Sequence, residues 1–273
     1  MKRGERLDVR LVREGLAATR SQAQALILAG QVRVNQKPVT KAGTWVDEAD
    51  RVAVDDRGWR YVSRGGVKLE YALRRFGLSP QGWEVVDIGA STGGFTDCWL
   101  QHGARAVWAV DVGRGQLHWR LRQDPRVTVR EGLNARYLTL EQLGRCRPFA
   151  AASIDVSFIG VGRLFAALQR VVATGGAVVA LIKPQFEAGP RAVGKGGVVR
   201  DPHVHREVLE AVVREADGAG LGAQAVAPSP IRGGSGNREF LILWRLGQPS
   251  RLGPDDLDGA VREAWSEEGD GDA

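Results

Sequence analysis

The chain predicts an α/β domain, a largely parallel sheet covered by helices on both faces, with a small α+β module in front of it. Three observations carry that expectation. From Glu84 onward, short apolar segments alternate with helical ones. The first of those segments closes on a loop rich in glycine, and residues 1–45 are basic and mostly helical in pattern before they turn to alternation. A length of 273 residues suits one large unit and one small one.

Composition narrows the class. Hydrophobic residues make up 43% and charged residues 26%, the balance of a chain that buries a sizeable core. No run approaches the roughly 18 apolar residues of a membrane span. The most apolar stretch, Gly176 to Ile182, has the length of a buried strand, and the N-terminal ten residues are charged throughout, so no membrane association and a cytoplasmic location are expected. Cys98 and Cys146 stand apart without CxxC spacing, which argues against a disulfide framework or a zinc site and for buried thiols. Net charge is +6, but residues 254–273 hold eight acids against Arg262 alone, a net of −7, so residues 1–253 carry +13. That surplus favours a polyanionic partner, nucleic acid before an anionic membrane.

The front module reads as residues 1–56. Leu7, Leu11 and Val12 fall at helical spacing up to Gly15. A second helix follows over 22–29, opened by Thr19-Arg20-Ser21 and stopped by Gly30. Val32 and Val34 alternate with polar neighbours as a strand, residues 36–38 turn the chain, and 51–54 close the unit. Residues 1–45 carry nine bases and three acids. Arg3, Arg6, Arg10, Arg13 and Arg20 recur along the helices, where they either face phosphates or form an ordinary solvated face. The ordered set Arg6-Leu7-Asp8, Thr19-Arg20-Ser21, Ala25, Ile27, Gly30, Val32, Val34 and Asn35 resembles the RNA-binding module shared by a small-subunit ribosomal protein, bacterial tyrosyl-tRNA synthetases and many pseudouridine synthases. That resemblance implies a grip on structured RNA through Arg3, Arg6, Arg10, Arg20, Lys37 and Lys41, with Arg64 just beyond.

A short linker, 57–63, leads to the second unit, 64–250. Its strands read as 84–89, 106–111, 127–131, 152–157, 176–184, 223–229 and 239–245, with helices over 95–102, 161–173 and 203–220. The first strand ends in DIGASTGGFT, residues 87–96. Gly89, Gly93 and Gly94 permit a tight turn and close backbone approach to a nucleotide-like ligand. The loop is neither GxGxxG nor a P-loop, so a pyrophosphate fits poorly. Asp87 at the strand end, with Ser91, Thr92 and Phe95, suits instead the amino-acid end of S-adenosylmethionine, and Asp111, closing the second strand, can accept the hydroxyls of a ligand ribose. Residues 251–273 read as an acidic tail open to disorder.

The motifs DIGASTGGFTDC, VDVGRGQL, SIDVSFI and ALIKPQFE, after YVSRGGVKL, resemble the TlyA family, a branch of the FtsJ-like ribose methyltransferases with a Rossmann-like S-adenosylmethionine-dependent domain. The likeness runs from residue 5 to about 246. It implies a catalytic set of Lys68, Asp155, Lys183 and Glu239, a place beside the adenine for Asn134, and rRNA or ribosomal subunits as partner, with a cytidine ribose of 16S or 23S rRNA as substrate. It also places Tyr61 where relatives often carry tryptophan.

The residue types agree with that set. The chain writes arginine for 32 of its 38 cationic side chains, yet keeps lysine at 68 and 183. Arginine cannot lose its proton, whereas a lysine out of water beside a second cation can act as a base. The expected mechanism has Lys183 take the proton of a ribose 2′-hydroxyl, Lys68 keep Lys183 deprotonated, and Asp155 and Glu239 complete the network. A surface lysine at a strand end is the alternative for each. No metal is called for, and His203 and His205, just after Asp201-Pro202, read as capping or solvated residues. Two other classes compete: a non-catalytic RNA-binding or ribosome-assembly factor, and a haemolysin-like membrane-active protein, for which no long amphipathic basic helix is present.

Overall fold

The computed structural model describes residues 4–17, 19–28, 30–54, 60–194, 196–233 and 236–266, with the side chains of Ser21, Gln22, Ala25 and Arg191 left aside. In the front unit, β1 (Glu5–Arg6) leads into α1 (Leu7–Arg13) and α2 (Arg20–Leu28), followed by β2 (Val32–Val34), β3 (Lys37–Val39), β4 (Trp45–Val46) and β5 (Val52–Val54). The helices bury Leu7, Leu11, Ala23 and Ile27 against Val32 and Val46, a core of few side chains. Strand β2 pairs with both β3 and β5, and β1 with β4, all antiparallel. The turn expected over 36–38 is displaced. Asn35 (φ 50°) and Gln36 (φ 67°) make a two-residue hairpin turn, and Lys37–Val39 is strand. Left-handed conformation at both central residues matches the strand twist, but glutamine is a rare choice there and gave no signal.

The large unit contains α3 (Gly65–Arg75), β6 (Glu84–Ile88), α4 (Gly94–Gln101), β7 (Ala106–Asp111), α5 (Trp119–Arg122), β8 (Val127–Glu131), β9 (Phe149–Ile154), α6 (Phe165–Val171), β10 (Val172–Ile182), α7 (Pro184–Glu187), α8 (Pro202–Gly218), β11 (Leu221–Pro228), β12 (Phe240–Leu246) and α9 (Pro254–Ser266). The sheet order is β11-β12-β10-β9-β6-β7-β8. From β10 to β8 all neighbours are parallel, and β12 runs against both β10 and β11. The reversal follows from connection: among the described residues no helix lies between β11 and β12 to carry the chain back for a parallel return. Residues 177–182 of β10 are all buried because both faces of the sheet are covered. Leu69 and Leu73 of α3 and Phe95 and Trp99 of α4 pack on one face, while α6, α8 and α9 pack on the other. The chain moves from β6 outward through β7 and β8, then returns to lay β9 on the far side of β6, which opens a crevice at the carboxyl ends of β6 and β9.

Three expectations are corrected here. Residues 254–266 of the acidic tail form α9, with Leu257, Ala260, Val261 and Ala264 buried on one face. That spacing is a helix signal that the acidic composition concealed. His205 is buried rather than solvated and accepts a hydrogen bond from Trp265 Nε1 at 3.2 Å, while Asp201 caps α8 by accepting from His203 N at 2.9 Å. Cys98 is buried, but Cys146 is exposed.

Candidate active site

The ends of adjacent strands bring the chemistry together. Asp155 follows β9 and Lys183 follows β10, and the paired strands carry both side chains to the crevice. Lys183 Nζ lies 2.6 Å from Asp155 Oδ1 and donates to Ser157 Oγ at 3.0 Å. Lys68, on the second turn of α3, donates to Glu239 Oε2, a pairing across 171 residues of sequence. Glu239 precedes β12, and its other oxygen fits because residue 233 is glycine: a Cβ there would stand 2.4 Å from Glu239 Oε1. Asn237, itself buried, holds that loop, accepting from Val199 N at 2.9 Å and donating to Gly197 O at 2.8 Å.

Two ammoniums and two carboxylates balance in charge. Burial opposes the charge on Lys183, but Asp155 and then Glu239 outweigh it and hold the ammonium above the ordinary lysine range. For Asp155 burial would raise the carboxyl, yet Lys183 and Lys68 pull it below the usual value. Lys183 is therefore cationic in the free protein, contrary to the expectation that Lys68 keeps it deprotonated. The reason is that Lys68 is spoken for by Glu239, and the nearest group to Lys183 is a carboxylate.

These four side chains line a cleft of about 530 Å³, within the size range of small-molecule sites. Gly89, Ser91, Thr92, Gly94 and Phe95 form one wall. Gly89 has φ 83°, and a Cβ there would meet the Asp155 carbonyl at 2.4 Å, so the loop can reach the crevice only as glycine. Gly93 (φ 97°) precedes α4, where a Cβ would collide with Leu121 at 2.2 Å. Asp87 does not face the cleft. It is fully buried, accepting from Thr96 Oγ1 at 2.7 Å and Ser153 Oγ at 2.8 Å, with Trp99 Nε1 donating to the same Ser153 hydroxyl. Burial pushes its carboxyl up to about 6. Its role is to brace β6, α4 and β9 beneath the loop. Asp111 is half-buried outside the cleft lining and orders the same loop, accepting from Ser91 N at 2.8 Å and Gly113 N at 2.7 Å. Asn134 is exposed and caps a short turn by accepting from Arg136 N.

Of the cations expected on RNA, Arg3 lies outside the described residues. Arg10 is buried, paired with Glu14 and 3.6 Å from Glu5, so its guanidinium is structural. Arg6 and Arg20 both bind the buried Asp8, at 2.9 Å each. Lys37 and Lys41 are exposed, and Lys41 and Arg64 stand on the cleft wall together with Gly30. The front unit thus contributes to the cleft. The described end of the expected linker, residues 60–63, is packed rather than loose: Tyr61 is buried, Val62 N donates to Asp97 Oδ2 at 2.8 Å, and Gln31 Nε2 of the front unit donates to Val62 O at 3.2 Å.

Sequence reading missed the aromatic lip. Phe158 is 87% exposed with φ 69°, beside Phe186 at 5.2 Å between ring centroids, and both line the cleft. An exposed phenylalanine in a left-handed conformation is a strained, unsheltered position that periodicity cannot flag. Trp45, 70% exposed, was missed because its strand β4 is only two residues long.

Residues 61–246 match the FtsJ-like methyltransferase family and residues 5–52 match the S4 domain. The chain belongs to the FtsJ-like methyltransferase family. Among relatives, it is 43% identical over 270 residues to the 16S/23S rRNA (cytidine-2′-O)-methyltransferase TlyA of Mycobacterium tuberculosis, covering 98% of this chain and 99% of the relative. It is 48% identical over 238 residues, 87% of this chain and 84% of the relative, to a Bacillus subtilis protein named as a candidate rRNA methyltransferase, YqxC. A solved Streptococcus thermophilus structure, described as a hemolysin candidate, superposes with a TM-score of 0.76 at 43% identity over 98% of each chain. As a TlyA-type member of the family, the chain is a methyltransferase with an S4 domain in front. Among the described residues no helix is long and apolar enough to cross a membrane, and no group of three His, Cys, Asp or Glu could hold a metal ion.

Proposed function

We propose that the chain transfers a methyl group from S-adenosylmethionine to a ribose 2′-hydroxyl of ribosomal RNA, at a cytidine of 16S rRNA, 23S rRNA or both. The observation that carries this reading is the pair of ion pairs, Lys183 with Asp155 and Lys68 with Glu239, set in one cleft beside a glycine-rich strand-to-helix loop. The name of the M. tuberculosis relative and the basic surplus of residues 1–253 support the same substrate class.

The residues fit such a donor. The backbone of Gly89 and Gly94 with Ser91, Thr92 and Phe95 would hold its amino-acid end. Asp111 accepts two backbone N–H groups and keeps lone pairs for a ribose hydroxyl, and Asn134 would border the base. When bound, S-adenosylmethionine supplies a methyl group already activated by its sulfonium charge, and that charge disfavours further cations beside it. Lys183, having released its proton to solvent, accepts the proton of the 2′-hydroxyl, and Asp155 stabilises the ammonium that re-forms. Lys68 and Glu239 orient each other at the cleft wall. Phe158 and Phe186 offer faces on which a base can stack, while Lys41 and Arg64 neutralise nearby phosphates.

The test is incubation of ribosomal subunits with the protein and isotope-labelled donor, followed by mapping of ribose methylation. A labelled 2′-O-methylcytidine is expected with the unaltered chain and absent with Lys183→Ala. No label with the unaltered chain would overturn the enzymatic reading and leave RNA binding alone.

A further inference from the structure

Helix α7 is one turn long, and it and its N-cap send three side chains to two destinations. Lys183, at its N-cap, and Phe186 face the cleft. Glu187 lies outside the cleft lining and reaches the segment after the Asp155–Phe158 loop, where its Oε1 accepts from Val161 N at 2.9 Å. Gly160 leaves room for that approach, since a Cβ there would stand 2.7 Å from Glu187 Oε2. The two cleft-forming segments are thus joined at three levels: Lys183 to Asp155 and Ser157, Phe186 to Phe158, and Glu187 to Val161. The first two line the cleft, and the third lies outside it.

This placement is costly to maintain. Burial, reinforced by Glu215 of α8, pushes the Glu187 carboxyl up to about 7, and the backbone N–H of Val161 only partly offsets it. A residue needed merely to end a short helix would more cheaply be exposed and solvated. We propose that Glu187 is a positioning residue for methyl transfer: by gripping Val161 it fixes the Asp155–Phe158 segment against α7, and so sets Lys183 against Asp155 and Phe158 against Phe186. The inference rests on the methyltransferase reading above.

The experiment compares steady-state methylation by the unaltered chain, Glu187→Ala and Glu187→Gln, with donor affinity and thermal midpoint measured alongside. Glutamine offers an uncharged amide oxygen to the same N–H, whereas alanine offers nothing. Glu187→Ala is expected to lower kcat by about tenfold or more with the KM for donor changed less than about twofold, the signature of lost alignment. Glu187→Gln is expected to keep most of kcat. Gly160→Ala, whose backbone (φ −71°) accepts alanine, displaces the carboxylate without removing it and is expected to reproduce the kcat loss if Glu187→Ala does not fold. Turnover by the unaltered chain together with full kcat in Glu187→Ala, or equal losses in the Ala and Gln variants, overturns the proposal and leaves the functional reading standing. Absence of methyl transfer by the unaltered chain overturns both.

Discussion

Asp8 in the front domain and Asp155 in the methyltransferase domain are each carboxylates beside cations, in opposite surroundings. Asp8 is fully buried and accepts from Arg6 at 2.9 Å, Arg20 at 2.9 Å and Gln24 at 2.8 Å. Arg6 foremost, against the opposing effect of burial, with Gln24 and Arg20 adding to it, holds its carboxyl well below the usual carboxylate range. Both of its oxygens are engaged, and its arginine partners cannot give up a proton. Asp155 has a lysine partner, and their contact opens on a cleft that small molecules can enter. A charged cluster becomes a knot or a site according to which cation it holds and whether one side is left open. Sequence composition alone does not tell the two apart.

The sharpest way to break this comparison is to remove one member of each cluster. Lys183→Ala is expected to lower methyl transfer by about 10²- to 10⁴-fold, with an unchanged circular dichroism spectrum. Asp8→Ala strands Arg6 and Arg20 and is expected to lower unfolding stability by about 2–3 kcal/mol, read by denaturant titration, with kcat at saturating RNA unchanged. A fall in kcat with no loss of stability would place Asp8 in the chemistry instead.

A smaller effect is expected at the cleft lip. Phe158→Ala should raise the KM for RNA by about fivefold, the lower end of what one stacked base is worth, and leave donor affinity as it was. Outside both clusters, burial foremost and then Arg238 lower the His205 imidazole to about 4. The unfolded chain binds a proton below about 6.5 and the folded chain does not until about 4, so this residue makes stability fall as pH drops through that window. His205→Gln is expected to flatten that loss in urea titrations at pH 6.5 and pH 4.5. The smallest difference separates cations of the front domain. Lys41→Ala should reduce the salt dependence of RNA binding by about one unit of slope, and Arg10→Ala should change stability with the slope kept.

Much of the large domain was legible because buried parallel strands are continuous apolar runs, and each of the site's charged residues stands where such a run ends or near a glycine loop. The resemblance to the TlyA family singled out Lys68, Asp155, Lys183 and Glu239, and the structure brings them together in one cleft. What sequence could not supply was partnership over distance. Asp87 looks like a ligand-facing carboxylate until Ser153, 66 residues on, takes one of its oxygens. Arg10 looks like a phosphate ligand until Glu5 and Glu14 enclose it. The charge on Lys183 depends on which of Lys68 and Asp155 lies nearer, a question of tertiary geometry. The two-residue strands β1 and β4 carry too little periodicity to register, and Phe158 is placed by loop conformation rather than by any repeat.

The central claim is that Lys183 must exchange a proton, and that its positive charge alone does not suffice. Lys183→Arg keeps the cation beside Asp155 and removes the exchangeable proton at working pH. The account predicts that this variant binds donor and ribosomal RNA with affinities near those of the unaltered chain and yet methylates no faster than Lys183→Ala in single-turnover assays. Single-turnover methylation by Lys183→Arg within about tenfold of the unaltered chain would contradict it.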